Sequence, residues 1–331
     1  MKNKKDIVNI GGDKDDFSLY RYRSCSDHNL KAFMFEEIVA TTPDQFNDNY
    51  DSSFNIDKTL LLNYMKESFA DIIGRISYWY NLFDTEDFND NDIKGDYLYE
   101  QAINLFYEKL LLFLKRQYFI ICFSRKFDND VMWSHYASNG KGYVLEYSSE
   151  QLNAFHKHYE INKYISVSKD SILTKPKLQK VKYNNNKYDD TDFFKEFVDY
   201  INKYYNSRPY EHYASLENIS ELFISDCLKK DKFILNKMIN KTVFIKNKEW
   251  KYEQEWRLII PNIFNIKAEH KAFSCKPKAI YIGEYMDILH KFTLIKFANY
   301  HNIKIYKMYS ENNILKAEPM NEKEFDYILN I

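Results

Sequence analysis

The sequence predicts an α+β fold with a central mixed, largely antiparallel sheet and large helical insertions. Two observations predict it: short strand-like runs occur along the whole chain, and segments with helical spacing interrupt them in two blocks. We expect a flexible polar tail at residues 1–16, then one domain over 17–331 with insertions at about 57–117 and 150–240. With 331 residues, 45% of them hydrophobic, the chain is long enough for a core of that size.

Strand patterns recur along the chain. Tyr118–Ser124 is a continuous apolar run, typical of a strand buried on both faces. Trp250–Ile260 instead alternates aromatic or apolar residues with charged ones at period two, and Val243–Ile245 is expected to pair with it. The other predicted strands are Phe17–Arg23, Phe33–Thr41, Tyr143–Tyr147, Ala279–Gly283 and Ile303–Tyr306.

Apolar residues at every third or fourth position predict the helices. Asp57 is the expected N-cap of the first helix, and Asp128 or Asp130 that of a short helix. Residues 150–215 have weak periodicity and are expected to form loops and short helices. The predicted helices are Asp57–Phe83, Tyr97–Arg116, Asp130–Ala137, Glu217–Asn240 and Asp287–Tyr300.

Composition argues against several classes of protein. The net charge is −1, from 47 basic and 48 acidic residues, so no global field attracts nucleic acid or an anionic membrane. No apolar run of about 18 residues could span a bilayer, so we expect a cytoplasmic protein without a membrane partner. The cysteines lack metal-ligand spacing, which indicates free thiols; they are Cys25, Cys122, Cys227 and Cys275.

The leading candidate site lies on Trp250–Ile260. Period-two alternation would place Glu253, Glu255 and Arg257 in a row on one face, with the carboxylates about 7 Å apart. Such a row forms a compact polar site if the face lines a cleft. The alternative is a solvated outer face with a cross-strand ion pair. Two tryptophans close together favour a buried strand.

A second group of candidates surrounds the short helix after Tyr118–Ser124. Ser124 ends the buried strand, where a sheet edge commonly carries a site. His135 is either a general base or a hydrogen-bonded structural residue. Trp133 and Tyr136 either stack on a flat ring or pack in the core.

Charged residues near the N-terminus form a third group. Arg21 and Arg23 share one strand face and can clamp a pyrophosphate or carboxylate, or else pair with Asp48 or Asp51. The two aspartates, with Asn47, are also possible metal ligands beside the glutamates of Trp250–Ile260.

Several motifs together resemble a large bacterial and phage domain family of unknown function that is associated with abortive infection. The resemblance extends over residues 19–283 and implies a role in antiphage defence. Asn49 stands where the family usually has a proline. The motifs are Tyr20–Arg23, Pro43–Asp51, Cys122–Ser124, Met132–Ala137 with Gly142, Glu253–Arg257 and Ile280–Gly283.

A fainter resemblance is to ADP-ribosyltransferases, which carry Arg, Ser and Glu-x-Glu on successive strands. It implies that Arg21 holds the phosphates of NAD, Ser124 orders the nicotinamide side, and Glu255 stabilises an oxocarbenium-like transition state. It further implies that Glu253 orients the acceptor and that an aromatic residue of the short helix stacks on nicotinamide.

Three functional hypotheses follow. The first is an ADP-ribosyltransferase-like effector or toxin that uses NAD as substrate and modifies a protein or nucleic acid. The second is a metal-dependent nuclease or hydrolase, which requires clustered carboxylates or histidines. The third is a non-catalytic phage-sensing or binding module, whose carboxylates would be occupied by salt bridges. The catalytic candidates are Glu255, Glu253, Ser124 and His135, and the NAD-binding candidates are Arg21, Arg23, Trp133, Tyr136 and Arg257. An antitoxin or a phage trigger protein is the expected kind of partner.

Overall fold

The computed structural model describes residues 16–46, 51–52, 56–68, 108, 112, 115–154, 176–185, 191–206, 243–262 and 269–320. The class is α+β with a mixed, largely antiparallel sheet, as predicted. The described strands are β1 (Ser18–Arg23), β2 (Glu37–Thr41), β3 (Tyr118–Ser124), β4 (Tyr143–Ser148), β5 (Lys177–Lys180), β6 (Lys182–Tyr183), β7 (Ile245–Lys246), β8 (Glu255–Pro261), β9 (His270–Ser274), β10 (Ala279–Ile282), β11 (Lys304–Glu311) and β12 (Ile314–Pro319).

The helices begin at polar caps that satisfy their first N–H groups. Asp57 caps the second helix as predicted, because its carboxylate accepts the Leu60 N–H at 2.9 Å. The short helix after β3 is capped by Asn129 and not by Asp128 or Asp130. The described helices are α1 (Asp27–Met34), α2 (Lys58–Ser68), α3 (Asp130–Tyr136), α4 (Ser149–Asn153), α5 (Thr191–Asn206) and α6 (Ile288–Tyr300), with 3-10 turns at Pro43–Gln45 and Lys248–Glu253.

The chain divides into two compact units. Unit 1 is formed by the described residues within Met1–Glu37, Phe123–Phe155 and Ser274–Ile331. Unit 2 is formed by those within Ile38–Cys122 and His156–Phe273. No helix in the described ranges is long and apolar enough to cross a membrane.

Unit 1 contains a sheet with strand order β12-β11-β10-β4-β1. All neighbours are antiparallel except β10 and β11, which are parallel and joined by α6. This strand–helix–strand arrangement was predicted from the sequence. Its core includes Leu19 and Ile280 from the strands and Leu294, Ile295 and Ala298 from α6, all nearly inaccessible to solvent.

Unit 2 is arranged around the apolar strand β3. Within this unit β3 pairs antiparallel with β2 and also pairs with β8, which pairs antiparallel with β5. Phe119 and Ile121 on one face of β3 and Tyr118 and Ile120 on the other are buried, which confirms the prediction of a strand buried on both faces. Helices α2 and α5 pack against each other.

The local predictions were wrong in four places. Residues 33–34 end α1 and Glu36 has a φ of 52°, so the predicted strand Phe33–Thr41 begins only at Glu37. Residues 248–253 form a 3-10 turn, and only Glu255–Pro261 of the strand Trp250–Ile260 is extended. The segment after Val243 pairs in parallel with β6 and not with β8. Within residues 150–215, α5 is a 16-residue helix.

Other predictions concern residues outside the described ranges. These are the tail up to residue 15, the part of the first helix beyond Ser68, and the helix Glu217–Asn240. Of the predicted helix Tyr97–Arg116, the described residues Glu108, Leu112 and Lys115 are helical.

Gly283 illustrates why a motif residue of unit 1 must be small. A Cβ at Gly283 would lie 2.1 Å from the carbonyl oxygen of Gly140 and 2.6 Å from that of Gly142. The Gly283 N–H also donates to the Gly142 carbonyl at 3.0 Å. The close approach of these two backbone segments therefore depends on the missing side chain.

We predict that Gly283→Ala lowers the free energy of unfolding by about 2–3 kcal/mol, because backbone atoms must separate to admit the methyl group. Urea denaturation followed by circular dichroism measures the change. Lys141→Ala, at an exposed position of the adjacent loop, is the control and is expected to change stability by less than about 0.5 kcal/mol. Equal stability of G283A and wild type would contradict the packing described.

Candidate functional site

Five charged side chains of unit 2 meet in its interior. We call Asp51, Lys246, Glu253, Glu255 and Arg257 the ion cluster. Each is less than a tenth exposed, and Arg257 is fully buried. Charged residues are rarely buried unless they are paired, so each member of the ion cluster needs a partner of opposite charge or a hydrogen bond.

Arg257, on β8, uses all five of its N–H donors. Its Nε donates to Glu255 Oε1 at 2.7 Å, and one terminal nitrogen donates to Glu255 Oε2 at 3.1 Å and to Asp51 Oδ2 at 2.6 Å. The other terminal nitrogen donates to Ser52 Oγ at 3.1 Å and to the Val243 carbonyl at 2.7 Å. The guanidinium therefore joins β8 to two distant segments without an unsatisfied donor.

Lys246, on β7, lies where three carboxylates converge. Its Nζ is 2.7 Å from Glu253 Oε2, 3.3 Å from Asp51 Oδ2 and 3.4 Å from Glu255 Oε2. The same ammonium lies 4.7 Å from the ring centre of Trp250, which adds a cation–π contact.

The backbone between Glu253 and Glu255 brings both carboxylates to Lys246. Asn247 caps the 3-10 turn with its side-chain oxygen, and Glu253 ends that turn. Gln254 then adopts a left-handed conformation with φ 46° and ψ 47°, after which β8 begins at Glu255. The predicted row on one strand face is therefore correct for Glu255 and Arg257 and wrong for Glu253.

Mutual attraction keeps the cluster ionised despite its burial. Burial alone would raise the pKa of Asp51, but Arg257 and Lys246 outweigh it and lower that pKa to about 2. The same two cations lower the pKa of Glu255 against its desolvation. Burial disfavours the charged form of Lys246, yet Glu255, Asp51 and Glu253 raise its pKa. The ion cluster contains three acidic and two basic side chains, so its formal net charge is −1.

Neighbouring polar groups complete the surroundings. The Tyr183 hydroxyl accepts the backbone N–H of Glu255 at 2.7 Å. Burial and the Glu255 carboxylate raise the pKa of the Cys122 thiol, which favours its protonated form. The Tyr118 hydroxyl is buried and has no hydrogen-bond partner among the described residues.

Three carboxylate oxygens of the ion cluster converge on the Lys246 ammonium. In the described ranges no group of three His, Cys, Asp or Glu residues has the arrangement of a metal site. Asn47 and Asp48, two of the candidate metal ligands, lie outside those ranges.

The remaining predicted site residues belong to unit 1, where three of them lie on strands and three on α3. Arg21 is buried on β1 and half-buried Arg23 follows two positions later on the same face. Ser124, at the end of β3, pairs with Tyr20 and accepts the Lys126 N–H at 3.2 Å. Because Ser124 lies opposite Tyr20, it shares the face of Tyr20, and Arg21 points to the other face.

The residues of α3 differ in exposure. Trp133 is 5% exposed, donates from Nε1 to the Phe127 carbonyl at 2.7 Å and packs edge-on against Tyr22, so it is a core residue. His135 is exposed and Tyr136 half-buried, with ring centres 6.3 Å apart. The residues of the transferase hypothesis are thus divided between unit 1 and unit 2.

The sequence analysis did not predict Lys246 or Ser52 as members of this site. Lys246 is one of 47 basic residues and follows a short apolar run, so no local pattern distinguishes it. Asp51 was considered as a partner of the N-terminal arginines, whereas its partners are Arg257 and Lys246.

Part of the chain is similar to a known protein family. A family model described as a protein of unknown function (DUF2971) matches residues 132–258. The match begins in α3 and ends in β8, so it includes the segment from Glu253 to Arg257. No curated protein and no solved structure matches the chain.

We predict that Lys246→Met destabilises the protein by about 3–5 kcal/mol, because it removes one cation from among three buried carboxylates. Adding Glu253→Gln restores the net charge of the cluster, so the double variant is expected to be less destabilised than the sum of the two changes, by about 1–3 kcal/mol. Urea denaturation of the four proteins measures this coupling. Lys248→Met in the exposed part of the turn is the control, and additive effects would contradict the geometry.

The lowered pKa of Asp51 predicts a dependence of stability on pH. Its carboxylate stabilises the folded state above its ordinary pKa of 3.8, and this contribution is lost as the pH falls through the folded pKa of about 2. We therefore expect Asp51→Asn to be less stable at pH 7 and to lose less stability than wild type between about pH 4 and 2. Urea midpoints measured at each pH test this, and parallel curves would contradict it.

Proposed function

We propose that the chain is a non-catalytic ligand-binding module of antiphage defence, in which the ion cluster stabilises unit 2. One observation supports this most: each carboxylate of the cluster is bonded to a buried cation of the protein, at 2.6–2.7 Å for its shortest contact. This is the arrangement expected of the binding hypothesis. A phage trigger protein or a small molecule that signals infection would be the input of such a module.

The chemistry of the cluster supports a structural role. A general acid or base must exchange protons near pH 7, whereas the pKa values of Asp51 and Glu255 are lowered by Arg257 and Lys246 against their burial. An electrostatic catalyst must face the reacting atom, whereas the Glu255 oxygens face Arg257 and Lys246.

The second candidate is an ADP-ribosyltransferase-like effector that consumes NAD. One observation favours it: Arg257 holds Glu255 ionised and fixed through two hydrogen bonds, at 2.7 and 3.1 Å. A fixed carboxylate suits the positive charge that develops on ribose when the glycosidic bond of NAD breaks. This function would require a ligand to replace Lys246 beside Glu255.

An assay of the purified protein with labelled NAD and cell lysate distinguishes the two proposed functions. We expect no nicotinamide release and no label transfer to protein or nucleic acid from wild type, because both oxygens of the ionised Glu255 carboxylate are bonded to Arg257 and Lys246. Turnover that is lost in Glu255→Gln, with circular dichroism unchanged, would overturn the binding proposal in favour of the transferase. Glu249→Gln, an exposed residue of the adjacent turn, is the matched control.

A further inference from the structure

Strand β12 lies at one edge of the unit 1 sheet. It pairs antiparallel with β11, and no other strand in the described ranges pairs with it. All six of its residues are partly or fully exposed. An open strand edge presents unpaired backbone N–H and C=O groups, which can pair with another strand. The β12 edge is therefore a candidate interaction surface.

The turn before β12 determines which of its backbone groups face outward. Asn312 and Asn313 have φ angles of 53° and 58°, as in a two-residue type I′ hairpin turn. The residues that flank such a turn are hydrogen-bonded to each other, so the even-numbered residues of β12 bond to β11. The Met320 N–H continues this alternation, since it donates to the Ile305 carbonyl at 3.0 Å. The residues whose backbone groups point away from β11 are therefore Leu315, Ala317 and Pro319.

Pro319 fits an outward-facing position. Proline has no N–H and is tolerated in a strand only where that position needs no ladder bond. Its carbonyl oxygen can still accept a hydrogen bond. The outer edge of β12 therefore offers N–H donors at Leu315 and Ala317, and carbonyl acceptors at these two residues and at Pro319.

Lys316 and Glu318 project from the same face of β12 and carry opposite charges. Each contacts a residue of β11: Lys316 is paired with Glu311, and the Lys307 ammonium lies 2.8 Å from a carboxylate oxygen of Glu318. Ion pairs exposed to solvent in this way contribute little on their own. Both charges of β12 can therefore also interact with charges on a neighbouring strand.

These charges favour one register for pairing β12 with β12 of a second copy of this chain. An antiparallel pair centred on Ala317 places Lys316 of each copy opposite Glu318 of the other, where opposite charges stabilise the pairing. A pair centred on Lys316 or on Glu318 would instead place like charges opposite each other, which is unfavourable. In the register centred on Ala317, the two alanines exchange both backbone hydrogen bonds, and Leu315 of each copy donates to the Pro319 carbonyl of the other.

The other face of β12 is apolar and is consistent with the same register. Leu315, Ala317 and Pro319 share this face, and Ala317 lies opposite Met308 of β11, which is 3% exposed. In the register centred on Ala317, Leu315 of one copy would lie beside Pro319 of the other. The apolar surface around Met308 would therefore continue across the pair of strands.

We propose that two copies of this chain associate through β12, antiparallel and about a two-fold axis at Ala317. A two-fold contact uses the same surface on both copies, so it closes at the dimer and covers both open edges. Because each copy contributes a single strand edge, the interface is small, and we expect a dissociation constant of about 10–100 µM. The association goes beyond the proposed ligand-binding function and does not depend on it.

Sedimentation equilibrium of the full chain, from about 2 to 200 µM, tests the proposal. We expect wild type to change from monomer to dimer over this range. Lys316→Glu and Glu318→Lys should each weaken the dimer about tenfold, because each change places like charges opposite each other twice. An equimolar mixture of the two variants should associate like wild type, because the acidic pair of one variant then faces the basic pair of the other.

Further variants separate strand pairing from other effects. Ala317→Pro removes an outward N–H at the axis but no bond to β11, so it should weaken the dimer more than about tenfold. Lys296→Glu and Glu284→Lys make the same charge changes at exposed residues outside β11 and β12 and should dimerise like wild type. Circular dichroism verifies that each variant is folded.

Three results would overturn the inference. The first is a wild type that stays monomeric at about 200 µM, which would leave the β12 edge to a strand of a different protein. The second is a dimer that is equally stable in the β12 variants. The third is a mixture of Lys316→Glu and Glu318→Lys that associates no better than either variant alone.

Discussion

The described core of unit 2 depends on the complete hydrogen bonding of one buried guanidinium. Arg257 brings the Asp51–Ser52 pair and the Val243 carbonyl against β8, and these segments are about 190 residues apart in the chain. An arginine cannot lose its proton at physiological pH, so every donor left without an acceptor would be costly inside the protein. The positions of all three segments are therefore fixed together.

The charge balance of the ion cluster favours stability of the fold over acid–base catalysis. Each added carboxylate favours ionised Lys246 and Arg257, and each cation favours ionised Asp51 and Glu255, so the groups stabilise one another's charged forms. A network of this kind is strongly destabilised when one member is removed, yet it keeps Asp51, Glu255 and Lys246 in their charged forms at pH 7. The features that make it stable make it a poor proton shuttle.

Local sequence patterns predicted the structure correctly where the contacting residues are close together in the sequence. The strand–helix–strand unit was predicted over Ala279–Tyr306 because its strands and helix follow one another directly along the chain, and the structure extends its last strand to Glu311. Period two also placed Glu255 beside Arg257. It failed at Glu253 because left-handed Gln254 interrupts the extended backbone, and glutamine gives no signal for that conformation. Lys246 and Ser52 joined the site through tertiary contacts that no short pattern contains.

Two glutamates of the chain show how partners decide what a carboxylate can do. Glu255 is 4% exposed and bonded to two cations, so its charge is compensated within the protein. Glu146 is half-buried, and its bonds from Ser18 and Tyr281 orient it without neutralising it. Hydroxyl donors leave the full charge on a carboxylate, whereas two buried cations offset that charge. The partners of a glutamate, and not its burial alone, therefore decide whether its charge is compensated within the protein.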